Sequence, residues 1–274
     1  MTNADDDLRH ITSAANPLVK LARQLATRRR ARYRERLFLI EGARPITTAI
    51  EHGIRIQTLI VDDERREDID MALVALIVEN ADRTVTMPSN LFQSFTNTEH
   101  PQPLSALAIL PEIALSSTST SVVCLDAVRD PGNLGTIVRT AAAAGVDGIA
   151  LLPGCVDPFG PKVVRASAGL VTAIPIQRFP SLDEVIQRCF VTPQDVAIIA
   201  ADADGAVDYR DVHWKVPVVV VVGNEAAGLS EPSRLATSER VRIPMADGVE
   251  SLNVSAATAI LLFEMRRQRS ERSD

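Results

Sequence analysis

Aromatic rings are scarce in this chain, at 4% of 274 residues with a single tryptophan, so its core has to be built from aliphatic side chains. Hydrophobic residues still make up 46% of the sequence, enough for a sizeable core and too many for a disordered chain. Val, Ile, Leu and Ala in that abundance suit parallel strands covered by helices on both faces. No stretch reaches the roughly 18 consecutive apolar residues of a membrane span. The first residues, Met1 to His10, are acidic and polar, which is wrong for a secretory signal. Three cysteines, Cys124, Cys155 and Cys189, are odd in number and lack CxxC spacing, so neither a disulfide framework nor a zinc site is suggested. A reducing, cytoplasmic setting is expected. Catalytic signatures are missing too. The second half has no GxGxxG after its first strand, and the chain has no GxxxxGK[ST], HExxH or GxSxG. The four histidines, His10, His52, His100 and His213, are scattered. Hydride and phosphoryl transfer therefore lose their usual support, and nothing calls for a metal.

The net charge is −6, which excludes a protein coated in basic residues, but the charge is unevenly placed. Lys20, Arg23, Arg28, Arg29, Arg30, Arg32, Arg34 and Arg36 face one acid, Glu35, within a single short stretch. Such a cluster on an acidic protein is the footprint of a phosphate-contacting arm, with Arg28, Arg29, Arg30 and Arg32 as its centre. A solvated helix face is the other reading of the same residues.

Periodicity predicts two α/β halves. In the first, Asn16 to Arg30 reads as one basic helix with Leu18, Leu21 and Leu25 on a stripe. Strands are expected at Leu37–Ile40, Ile54–Val61, near Thr84 and at Leu104–Leu110, with helices at Arg44–Glu51, Asp68–Asn80 and around Leu91. Residues 111–120 are rich in Ser and Thr without apolar periodicity and read as a linker between domains at 1–110 and 121–274. The second half reads as a doubly wound α/β domain. It contains a strand from Ser121, a helix from about Leu134 to Ala144 ended by Gly145, and the five valines Val218 to Val222. It ends with a helix over about Asn253 to Gln268.

Three glycine-containing loops follow strands in that half: DAVRDPGNLGTIVRTA (Asp126 to Ala141), GNEAAGLS (Gly223 to Ser230) and IPMADGVESLNVS (Ile243 to Ser255). Ligands of open α/β sheets bind outside the carboxyl ends of the strands, so three such loops can meet at one site. In this order and spacing they resemble the three motifs of the SpoU (TrmH-like) RNA 2′-O-ribose methyltransferases, within the SPOUT superfamily. SAANPLVK, FLIEGARPI and TNTEHPQPLSALAIL resemble, more weakly, the substrate-binding region that precedes the catalytic domain in many members. Pro103 stands where relatives carry glycine.

The resemblance implies a C-terminal SPOUT domain with a deep trefoil knot, preceded by a small α/β RNA-binding domain. It implies S-adenosylmethionine bound in a bent shape, an RNA substrate with ribosomal RNA favoured over transfer RNA, and a homodimer. By the same resemblance Arg139 is the essential arginine, either base or stabiliser of the reacting oxygen. A free arginine is effectively always protonated, which favours the second role. Asn133 holds the site's geometry, or simply caps the helix behind it. Glu225 orients the arginine or the RNA. Ser251 and Asn253 line the transfer site, and Ser251 would also cap the last helix. Gly223, Ile243 and Leu252 match positions that grip the cofactor through backbone groups, and Arg165 matches a basic position near the RNA. A non-catalytic RNA-binding module would keep the fold but lose these residues; Asn133, Arg139, Glu225, Ser251 and Asn253 are all present.

Overall fold

The computed structural model describes residues 9–68, 71–96, 101–112, 114–214 and 217–270. Part of the TNTEHPQPLSALAIL motif, residues 97–100, and part of the helix expected at 68–80 lie outside the described residues. The elements run β1 (Arg9–His10), α1 (Pro17–Thr27), α2 (Arg29–Glu35), β2 (Leu37–Glu41), α3 (Ala43–Glu51), β3 (Ile56–Asp62), α4 (Met71–Glu79), β4 (Thr84–Met87), α5 (Ser89–Gln93) and β5 (Leu104–Ile109). They continue with β6 (Ser121–Leu125), α6 (Pro131–Ala144), β7 (Gly148–Leu151), α7 (Pro161–Ala166), β8 (Ile176–Arg178), α8 (Leu182–Cys189) and β9 (Ala197–Ala201). The last are β10 (Val207–Asp208), β11 (Val218–Val222), α9 (Glu231–Ala236), β12 (Glu239–Arg242) and α10 (Val254–Ser270).

Two compact units result: residues 1–112 with 157–173, and residues 113–156 with 174–274. The first therefore recruits a segment, Asp157 to Ala173, that the sequence reading left in the second half. Its sheet, ordered β1-β4-β3-β5-β2, is mixed: β1, β4 and β3 run parallel, and β5 is antiparallel to both β3 and β2. Helix α1 begins where Asn16 Oδ1 accepts from the Leu18 N–H at 2.9 Å with Pro17 at the first position. Its stripe of Leu18, Val19, Ala22, Leu25 and Ala26 is buried in the core with Phe92 and Met87.

The single basic helix expected over residues 16–30 breaks in two. Arg28 is extended (φ −117°, ψ 110°), and α2 restarts after it. The restart turns Arg32 inward, which corrects its assignment to the RNA-contacting arm: Arg32 is 5% exposed and Asp157 8%. Arg32 Nε and Nη2 lie 2.8 and 2.6 Å from Asp157 Oδ2, Nη1 donates to the Leu25 carbonyl, and the Tyr33 hydroxyl donates to Asp157 Oδ1 at 3.0 Å. A buried charge this well paired is structural, because an RNA phosphate could reach it only by breaking the pair.

The second unit carries a seven-stranded sheet, ordered β10-β12-β9-β11-β6-β7-β8 and parallel throughout. β11, five valines all buried, sits in its interior between β9 and β6. Parallel strands put all their carboxyl ends on one edge, and that edge is where the long loops leave. Helix α6 starts at Asp130, whose carboxylate accepts from the Asn133 N–H at 2.7 Å, and stops at Gly145 with φ 74°. Asn133 is thus inside the first turn and does not cap the helix. Helix α10 packs on α6, with Leu261, Leu262 and Met265 buried and Arg266 donating to the Ala143 carbonyl at 3.0 Å. All three cysteines are free and buried, and burial pushes the thiols of Cys124, Cys155 and Cys189 up.

Two outcomes follow for stability. Arg32→Ala strands a buried carboxylate and should cost about 3–5 kcal/mol in denaturant unfolding, whereas Arg30→Ala, on the exposed side, should cost little. Asp147 ties the turn after α6 to the start of β6, accepting from the Thr120 and Ser121 N–H groups at 2.7 and 2.9 Å. Burial opposes its ionisation, but those bonds and the two hydroxyls outweigh burial and hold its carboxyl below the usual value. The folded state therefore gains from Asp147 at pH above about 4 and loses that gain as pH falls through the lowered pKa. In Asp147→Asn this part of the acid dependence should vanish from a pH series of thermal melts.

Candidate active site

At the carboxyl ends of β9, β11 and β12 the second unit opens a cavity of about 480 Å³. Its walls are aliphatic (Val222, Leu229, Val241, Ile243, Met245, Leu252, Val254), with Asp202, Glu225, Arg234, Ser251 and Asn253 at its margins. The volume and the mix of apolar wall with a few polar groups suit a nucleoside-sized ligand.

The floor is set by a close backbone approach. A Cβ on Gly223 would lie 2.5 Å from the carbonyl carbon and oxygen of Gly228, so only glycine fits there. Asn224 and Gly228 exchange N–H···O bonds of 2.9 Å in both directions, and Gly228 takes φ 67°. The Asn224 side chain fills the loop: Oδ1 accepts from the Ala226 and Ala227 N–H groups at 3.0 Å each, and Nδ2 donates to the Ala127 carbonyl at 2.9 Å. Asp126 Oδ2, buried, accepts from the Ser230 N–H at 2.7 Å. The first and second loops are therefore stitched at both ends.

The third loop joins them through a relay of side chains. Asn253 Oδ1 accepts from the Ser255 N–H at 2.9 Å, capping α10. Its Nδ2 donates to Asn133 Oδ1 at 2.9 Å, and Asn133 Nδ2 donates to Glu225 Oε1 at 2.8 Å. Both ends fix the direction: helix N–H groups need an acceptor, and a carboxylate offers nothing else. The amides between them can point only one way. Asn253 is thus the helix cap, in place of Ser251.

Of the expected site residues, the structure brings Glu225, Ser251, Asn253, Gly223, Ile243 and Leu252 to the cavity and ties Asn133 to them. Arg139 is not drawn in. It is exposed about two turns along α6 and makes no hydrogen bond or ion pair among the described residues. In the first unit Arg28, Arg29 and Arg30 are exposed, with Arg29 5.2 Å over the Tyr33 ring. Arg165 lies 3.5 Å from Glu41. Sequence reasoning missed the loop after β9. There Asp202, whose Oδ2 pairs with Arg240 at 3.2 Å, borders the cavity, and a Cβ on Gly205 would lie 2.6 Å from the Val241 carbonyl carbon. The ADADG run after an apolar strand was the available signal.

A parallel α/β unit whose strand-end loops close a nucleoside-sized cavity beside an amide–carboxylate relay defines a class of ligand-binding enzyme domain. Within that class, residues 120–263 match the SpoU rRNA Methylase family, and residues 16–106 match the MRM3-like substrate binding domain. The chain belongs to the SpoU rRNA methylase family. It is 31% identical to a 23S rRNA guanosine 2′-O-methyltransferase, RlmP of Bacillus subtilis, over 94% of this chain and 100% of that protein. It is 33% identical to a 23S rRNA uridine 2′-O-methyltransferase of Streptomyces viridochromogenes, over 95% and 93%. Among solved structures it is similar to the AdoMet-bound rRNA methyltransferase of Sinorhizobium meliloti, with a TM-score of 0.80 and 35% identity over 95% of this chain and 98% of that one.

The relay separates two jobs of Asn253. Asn253→Ala should lose both cap and relay and cost roughly 0.5–2 kcal/mol of stability. Asn253→Ser keeps a capping oxygen, so its melting temperature should stay near wild type while the link to Asn133 is lost. Gly223→Ala should displace the Gly228 backbone and weaken binding of a nucleoside ligand, read by calorimetry, with the fold retained by circular dichroism.

Proposed function

We propose that this protein transfers a methyl group from S-adenosylmethionine to the 2′-hydroxyl of one ribose in ribosomal RNA, with 23S rRNA favoured over transfer RNA. The observation that carries it is the joining of all three motif loops through Asn253, Asn133 and Glu225, beside a cavity that the second and third loops line. The relatives that match over nearly the whole chain, N-terminal unit included, are named for 23S rRNA 2′-O-methylation. A non-catalytic module has no use for that arrangement.

The residues present fit S-adenosylmethionine. The close approach of Gly223 to Gly228 leaves the cavity beside it open, and the aliphatic wall that includes Ile243 and Leu252 suits an adenosine. When bound, this cofactor supplies a methyl group on a positively charged sulfur. The protein's part is to place the ribose oxygen in line and take up its proton. Glu225 is the acceptor for that proton: Asn133 and Asn224 each donate to one of its oxygens, fixing the carboxylate while a second lone pair on each oxygen stays open. Asp202 is already engaged by Arg240 and the Asp204 N–H. Ser251, at the cavity margin, offers a hydroxyl to the ribose. Arg139, exposed and without a hydrogen bond or ion pair among the described residues, is the cation that meets RNA phosphate or stabilises the oxygen as it loses its proton.

The first unit grips the RNA substrate, in keeping with its match to a substrate binding domain, and Arg28, Arg29, Arg30 and Arg165 are its candidate contacts. Residues 1–110 are assigned to that task, 111–120 to the linker and 121–274 to catalysis, with Asp157 to Ala173 serving the first unit. The reading extends to a trefoil knot closed by the C-terminal segment, whose helix α10 packs on α6, and to a homodimer, for which the exposed apolar side chains of Val249 and Phe263 offer surface. Among the described residues no helix is long and apolar enough to cross a membrane, and no group of three or more His, Cys, Asp or Glu could hold a metal ion.

The purified protein should bind S-adenosylmethionine and label 23S rRNA at one position that resists alkaline cleavage. Arg139→Ala should lower transfer at least about 100-fold while cofactor affinity stays within error. An active Arg139→Ala protein would remove that residue from the mechanism, and cofactor binding without label in any RNA would leave only the module.

A further inference from the structure

The first unit holds a second cavity, of about 390 Å³, between the start of α1 and the sheet edge formed by β1 and β4. Two guanidinium groups, Arg9 and Arg83, line it, and among the described residues no carboxylate does. Arg9 is exposed and makes no hydrogen bond or ion pair among the described residues. Arg83 is anchored through Nε, which donates to Thr58 Oγ1 at 2.8 Å, so its terminal nitrogens stay open. Two like charges lining one apolar-walled cavity raise its attraction for an anion. The rest of the wall is aliphatic, chiefly Ile11, Leu18, Leu21 and Val85. Asn16 adds one polar group: its Oδ1 is spent on the Leu18 N–H, which leaves its amide N–H₂ as an outward donor.

We propose that this cavity receives one unpaired nucleotide of the RNA substrate, its phosphate between Arg9 and Arg83 and its base against Ile11, Leu18 and Leu21. The inference rests on the reading of this chain as an RNA methyltransferase. A bare phosphate would use the two arginines and leave the aliphatic wall wet, and an apolar anion would leave Asn16 unmatched. A nucleotide uses all three. The base must be unpaired, because the edges and faces of a base inside an A-form helix are out of reach of such a pocket. The site is separate from the exposed Arg28, Arg29 and Arg30: α1 lies between them, and its 11 residues span about 16 Å.

The test uses the full chain with in-vitro-transcribed 23S rRNA, reading both methyl transfer and, without the methyl donor, RNA binding by fluorescence anisotropy. Arg9→Ala should raise KM for RNA and the anisotropy Kd roughly 5- to 10-fold and make the slope of log K against log salt shallower by about 1. Its kcat, S-adenosylmethionine affinity and melting temperature should match wild type. Leu21→Trp, which fills the cavity and keeps both charges, should also raise KM. Adenosine monophosphate should compete with the RNA at concentrations where inorganic phosphate does not; equal competition by both would mean an anion site without a base. Wild-type KM and salt slope in a stable Arg9→Ala protein would overturn the proposal. Failure of the wild type to methylate any RNA would sink the enzymatic reading instead, and the anisotropy series would still report on this cavity.

Discussion

The site depends on one hydrogen-bond relay whose direction is forced from both ends. Helix α10 begins with N–H groups that need an acceptor, and Asn253 Oδ1 meets that need. That choice turns the Asn253 amide nitrogen toward Asn133 Oδ1, which turns the Asn133 amide nitrogen toward Glu225. Three segments that are distant in the chain are thereby set by one helix terminus. Glu225 and Asn253 are exposed and Asn133 half-buried, so each bond contributes only about 0.5–1.5 kcal/mol to stability. The relay holds because stiffer parts support it: the Gly223–Gly228 approach, the Asp126–Ser230 bond and the Asp130 cap of α6.

The parallel sheet makes the convergence possible. With every strand of the second unit running the same way, the loops after β6, β9, β11 and β12 leave from one edge, and a cavity among them is a consequence of topology. Methyl transfer to a hydroxyl asks little covalent chemistry of the protein. It asks for alignment, a proton acceptor and a cation near the RNA, and the proposed mechanism draws the first two from the Glu225 carboxylate at the end of the amide relay. Arg139 stands exposed on α6 with no hydrogen bond or ion pair among the described residues, and the proposed mechanism pairs it with the RNA.

Much of this was legible in the sequence, where local signals and packing agree. The valines of β11 and the Gly145 stop are both fixed by nearest neighbours. Caps were harder to place. Asp130, Asn133, Ser251 and Asn253 are all capping residue types, and only the course of the backbone decides which one caps. Arg32 read as one of a run of RNA-contacting cations, and its partner Asp157 lies far along the chain, so the burial of that pair could not be read locally. The mixed direction of the first sheet and the recruitment of residues 157–173 are likewise long-range facts. The site loop after β9 was overlooked because its contribution is shape, at Gly205, more than chemistry.

The most direct test is a double-mutant cycle on methyl transfer between Asn133→Ala and Asn253→Ser, the second chosen because it keeps the helix cap. If the relay acts as one unit, the double variant should lose little more kcat/KM than either single variant, a coupling of about 1 kcal/mol or more. Losses that add within about 0.5 kcal/mol would mean the two amides act independently, and the relay would then be a feature of packing without a part in the reaction.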